Sequence, residues 1–118
     1  MNNILNDFGK VFIRDVRDRT IEDIDSLISG KYKTQKAINL SKFFSSLDSS
    51  TKLFFNEMIP IIVDYCLNNT LEMFEQNEDI ELLMKNQNIN LISDGLAGEL
   101  YTEDGWIQRF SQQRYKED

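Results

Sequence analysis

The chain has 118 residues, of which 41% are hydrophobic and 11% aromatic, with a net charge of −7, one cysteine and no histidine. That length suits one domain around one core, and its apolar content is enough to offset the entropy of ordering the chain, which argues against disorder. The absence of histidine excludes Ser-His and Cys-His nucleophile pairs and His-ligated zinc or iron; the lone Cys66 excludes an internal disulfide and a cysteine metal cage.

No stretch approaches the ~20 consecutive apolar residues of a membrane-spanning helix. The longest apolar run, Met58 to Val63, contains Pro60 and is followed by Asp64. No leader pattern precedes Asn3. The expectation is therefore cytoplasmic residence without a membrane partner.

In chain order, a first helix is expected over about Asn3 to Asp18, because Ile4, Phe8, Val11, Phe12 and Val16 recur at helical spacing. Gly9 weakens it slightly. Thr20-Ile-Glu-Asp23 resembles a capping box with Thr20 as N-cap. It opens a short helix burying Ile21, Ile24 and Ile28, with Gly30 as its stop. Thr34 caps a third helix to about Leu47, with Ala37, Leu40, Phe44 and Leu47 inward. Asp48-Ser-Ser50 is a turn and a new cap. A long segment then runs to about Gln76 through Pro60, where a kink is expected. It is apolar on most sides, which marks it as the central core helix and places Cys66 inside. A further short helix is expected over Asp79 to Lys85.

The last third changes character. Asp94-Gly95 and Asp104-Gly105 are hairpin-turn dipeptides. With aromatic and branched runs around them, they predict an antiparallel meander over Ile89–Ser93, Leu96–Thr102 and Trp106–Phe110. The competing assignment is a short helix over Leu96–Tyr101 and another beginning near Trp106. Residues 112–118 are expected to fray. The fold class is thus mainly α (α+β): one domain over 1–118, helical over 3–85, with four to five helices around a long Pro-kinked central helix and a small C-terminal β-meander over 89–111.

Charge is unevenly spread. Residues 1–52 hold nine basic and seven acidic side chains; residues 53–108 hold Lys85 alone against eleven acids. A field of one sign steers encounter with an oppositely charged protein and repels nucleic acid. The expected partner is a basic protein, met by Glu72, Glu75, Glu78, Asp79, Glu81, Glu103 and Asp104, with Tyr101 at the rim. A solvated acidic face that only confers solubility is the competing explanation. Trp106 and Phe110 are expected to close the core. Lys10, Arg14, Arg17, Arg19, Lys31, Lys33 and Lys36 are interleaved with acids and look like a mixed helix surface.

No cofactor or metal is expected. Glu75, Asn77, Asp79 and Glu81 alternate like a calcium loop but lack its glycine and its bidentate glutamate. Gly95-Leu-Ala-Gly98 lacks the lysine of a P-loop and the third glycine of a dinucleotide fold. Glu72, Glu75, Glu78 and Asp79 are similar to the metal-binding helix of all-α nucleotide pyrophosphatases, with Glu22-Asp23-Ile-Asp25 a loose match for a second acidic helix. A Mg-dependent nucleotide hydrolase is therefore the enzymatic alternative.

The helices around Thr20-Ile-Glu-Asp23, the acidic stretch Glu72 to Glu81 and the segment Ser93 to Ile107 give the chain a character that resembles the small acidic immunity proteins of bacteria. The resemblance implies a non-enzymatic inhibitor that covers the active site of a basic toxin, such as a nuclease, with carboxylates in place of phosphates. It assigns no individual residue. An adaptor or regulatory subunit that binds through apolar surface is the remaining alternative.

Overall fold

The computed structural model describes residues 3–114. Residues 115–118 of the expected frayed tail lie outside the described residues. The chain is mainly helical, with a small antiparallel pair of strands near its C-terminal end.

Its first helical stretch does not break at Thr20. Helix α1 (Asn3–Phe12) passes through a π-helical segment (Ile13–Asp18) into α2 (Arg19–Ile28), and Asp18 keeps helical dihedrals. Thr20 is therefore inside a helix and caps nothing. The wider π turn also retards the helix phase. Ile13, Arg17, Asp18 and Ile21 turn inward, while Val11 and Val16, both expected to be buried, are about two-fifths exposed. Gly30 stops α2 as its sequence predicts: it holds φ +87°, Gly30 N–H donates to Leu27 O and Lys31 N–H to Ser26 O. That is a Schellman closure, which satisfies two of the last carbonyls.

Thr34 caps α3 (Gln35–Ser45) through a 3.2 Å bond from Ala37 N–H, and Asp48 caps α4 (Ser49–Gln76) through a 2.8 Å bond from Thr51 N–H. The helix runs on through Pro60. It does not bury all its sides, however. Ile59, Val63, Leu67 and Leu71 form one buried line at i, i+4 spacing, while Phe54, Ile61, Ile62 and Tyr65 face outward. Cys66 is exposed rather than buried. Only the C-terminal half of α4 is central. α3 buries Ala37 alone, and nothing in α4 before Ile59 is fully covered.

The strands lie upstream of the expected meander. β1 (Leu83–Met84) and β2 (Gln87–Asn88) pair antiparallel around Lys85 and Asn86, whose φ angles of 52° and 65° make a tight two-residue turn. The helix expected over Asp79 to Lys85 is absent because this hairpin takes its second half. Residues 89–111, expected as meander, are short helical pieces: α5 (Ile89–Ile92), a 3₁₀ turn (Ala97–Leu100) and α6 (Trp106–Phe110). The buried set explains why. Leu96, Ala97 and Leu100, then Trp106 and Ile107 with half-buried Phe110, recur at helical and not alternating spacing. Neither Asp-Gly pair makes a hairpin: Gly105 serves close approach, since a Cβ there would clash with the Tyr101 carbonyl oxygen, whereas one on Gly95 would meet nothing. Trp106 closes the core as expected, edge-on to Phe8 at 5.6 Å and Phe12 at 6.5 Å.

Candidate partner-binding surface

The acids divide into two sets. Glu72, Glu75 and Glu99 hold the structure together. Glu72 accepts a 2.7 Å bond from Asn68 Nδ2, the Glu75 carboxylate accepts the Ala97 backbone N–H, and Glu99 accepts from Ser93 Oγ at 2.7 Å. Asn90 Nδ2 donates to Phe74 O at 2.8 Å. The bonds of Glu75 and Asn90 lay residues 90–100 over the C-terminal half of α4, and all four answer backbone or side-chain polar groups in part-buried positions.

Glu78, Asp79 and Glu81 are exposed on the link between α4 and β1, while Glu103 and Asp104 are exposed on the loop before α6. Tyr101 is 37% exposed, and its hydroxyl donates to Asn68 Oδ1 at 3.1 Å. Asn68 thus joins Tyr101, at the end of the 3₁₀ turn, to Glu72 on α4, so the structure brings two of the proposed contact residues to one side chain. Among the described residues, no group of three or more His, Cys, Asp or Glu side chains is arranged to hold a metal ion. Asp25, from the loosely matching second acidic helix, pairs with Arg114 at 2.9 Å.

A buried ionic lock, formed by residues expected on a mixed helix surface, lies apart from the acidic set. The Arg17 side chain is fully buried. Its Nε donates to Asp64 at 2.6 Å, Nη1 to Ser111 Oγ at 2.8 Å, and Nη2 to Arg114 O at 2.6 Å. Asp18 completes it by accepting from Ser111 Oγ at 2.7 Å and from Gln112 N–H at 2.8 Å. Residues 112–114, expected to fray, are therefore tied to α2 and the π turn. Arg17 differs from its exposed neighbours Arg14 and Arg19 in standing four residues from both Ile13 and Ile21, on the buried face of the helix.

At the other end of the molecule, Leu27, Lys31, Tyr32, Lys33, Lys36 and Leu40 line an open groove of about 570 Å³. Three lysines there give the α2–α3 corner a basic edge opposite in sign to residues 53–108.

No helix among the described residues is long and apolar enough to cross a membrane. No family model matches this chain, and no curated protein or solved structure is similar to it beyond chance.

Proposed function

We propose that this chain is a non-enzymatic inhibitor of the immunity type, resident in the cytoplasm, that docks a basic protein partner against its acidic C-terminal half. One observation carries the proposal: Glu78, Asp79, Glu81, Glu103 and Asp104 are all exposed, in a stretch of 56 residues with Lys85 as its single base. Exposed charge of one sign raises the encounter rate with a basic surface and fixes its orientation. Tyr101, with its ring part-exposed and its hydroxyl engaged, supplies an amphipathic contact of the kind protein interfaces favour. Glu72 and Glu75 support this surface by holding Asn68 and Ala97 in place.

The test is affinity capture with the whole chain at low salt, followed by identification of what is retained. A strongly basic protein is the expected catch, released at about 1 M salt, where the screening length falls to about 3 Å. The combined Glu78→Lys, Asp79→Lys and Glu81→Lys chain keeps its fold, because all three side chains are exposed, and is expected to lose the capture. Retention undiminished by these reversals sinks the proposed surface.

A further inference from the structure

The outward side of α4 is apolar where a solvated helix surface is ordinarily polar. Phe54, Met58, Ile61 and Tyr65 recur at steps of four, three and four, with Ile62 beside them. At about 100° per residue they form one stripe opposite the buried line Ile59, Val63, Leu67 and Leu71. Phe54 is 58% exposed, Ile61 47%, Ile62 60% and Tyr65 68%. A repeat of four and three is the seam of a helix that packs on another helix.

The size of the stripe fits an interface. With about 200 Å² for each fully exposed side chain, these four leave roughly 450 Å² uncovered. A stable interface buries about 800 Å² per partner, and a little over half of that is apolar. The stripe therefore matches the apolar centre of a standard interface.

We propose that a second copy of this chain covers the stripe, the two α4 helices packing antiparallel about a two-fold axis between Met58 and Ile61. The uncovered apolar area fits a second copy, and charge sets the direction. From residue 53 to 66 the chain carries only Glu57 and Asp64, and Asp64 is paired with Arg17. Two chains of charge −7 thus meet where each is least charged. Lys42 and Lys52 outnumber the capping carboxylate of Asp48 around the N-terminal end of α4, whereas Glu72, Glu75 and Glu78 crowd its C-terminal end. Antiparallel packing sets each basic end beside the acidic end of the other copy and opposes the two helix dipoles. Parallel packing stacks acid on acid. The resulting contact is isologous and closes at two copies.

Sedimentation equilibrium of the full chain from about 5 to 200 μM, the range of a micromolar self-association, is expected to give twice the single-chain mass of 13.9 kDa. Ile61→Asp and Tyr65→Asp, both at exposed positions, are each expected to halve that mass while leaving the helical circular dichroism unchanged. Direction is read by cross-linking. Met58→Cys combined with Cys66→Ser places a thiol near the axis, and a short thiol cross-linker is expected to join the two copies. The native Cys66 pair, about 20 Å apart along the helices in this arrangement, is expected to stay unjoined. A single-chain mass throughout the range, a dimer unmoved by Ile61→Asp, or efficient joining through native Cys66 each overturns the proposal. So does a monomer whose capture of a different protein is lost on Ile61→Asp, since the stripe then belongs to that protein. The acidic-surface reading stands or falls separately, on the reversals at Glu78, Asp79 and Glu81.

Discussion

Arg17 and Gly9 show how far a single position departs from what its residue type suggests. Arginine is seldom fully buried unless paired, and Arg17 is paired with Asp64, anchored by Ser111 and the Arg114 carbonyl, and followed by a nearly buried Asp18. Removing the guanidinium alone leaves the Asp64 carboxylate without its donor and Asp18 without its counter-charge. Arg17→Ala is therefore expected to cost about 3–5 kcal/mol, measured by urea unfolding with Trp106, the only tryptophan, as fluorophore. Arg17→Met combined with Asp64→Leu replaces the pair by apolar volume and should cost clearly less than Arg17→Ala. An Arg17→Ala variant as stable as the parent would show that the lock contributes nothing to stability. Gly9 lies mid-helix, where alanine is ordinarily the better residue by about 0.5–1 kcal/mol. Here a Cβ would sit 2.5 Å from the Trp106 indole, so the glycine exists to let that ring close over α1. Gly9→Ala is expected to destabilise by about 1–3 kcal/mol through overpacking; a stabilised variant in the same unfolding assay contradicts the contact.

At the scale of elements, local chemistry decided the ends and tertiary contacts decided the rest. Thr34 caps α3 through Ala37 N–H, and Thr34→Ala is expected to cost about 1 kcal/mol, seen as a lower urea midpoint. Asp48 caps α4 as a carboxylate. Hydrogen bonds from Thr51, and then from Ser50, hold its pKa below the ordinary value. A depressed folded-state pKa gives stability that is complete above the unfolded value, about 3.9, and lost as pH falls through the lower folded value. The melting-temperature advantage over Asp48→Asn, which caps without titrating, should accordingly shrink as pH is lowered from about 6 to about 2. A difference that holds constant over that range would show that the ionised form contributes nothing. These caps, and the glycine stop at Gly30, were legible because each needs only neighbours within five residues. The π turn at Ile13–Asp18 was not, since its phase shift is fixed by what Arg17 and Asp18 meet on α4 and beyond α6. The β1–β2 turn was hidden too: Lys85 and Asn86 adopt positive φ without the Asp-Gly dipeptide that usually announces it. The Asp-Gly pairs point to a first turn at Asp94-Gly95, nine residues beyond the actual one at Lys85-Asn86. On the candidate surface, charge concentration was readable from composition. That Glu75 is spent on structure was not, because the Ala97 backbone becomes its partner only after folding.

The whole molecule is longer than a domain of its size should be. Its radius of gyration is 16.8 Å and its extents are 49 × 31 × 22 Å, against roughly 13–14 Å expected for a compact chain of this length. The excess comes from α3 and the first third of α4, which project from the core gathered around Ile13, Ile21, Leu71, Leu100 and Trp106. Phe44 and Phe55 touch across this projection at 6.3 Å, and Phe54 stacks edge-on to Phe55 at 6.0 Å, but Phe43, Leu53 and Phe54 remain more than half exposed. Helices with so little buried surface open at low free-energy cost. In dilute solution, amide exchange is therefore expected to be fastest over residues 35–58 and slowest over Val63–Leu71 and Ile13–Ile21. Raising the protein concentration should slow exchange selectively over residues 51–66, where a second copy would seat, and leave residues 35–42 of α3 fast. Uniform protection from 35 to 76 at all concentrations would mean that the projection is held by the chain's own core, and that its exposed aromatic side chains need no partner.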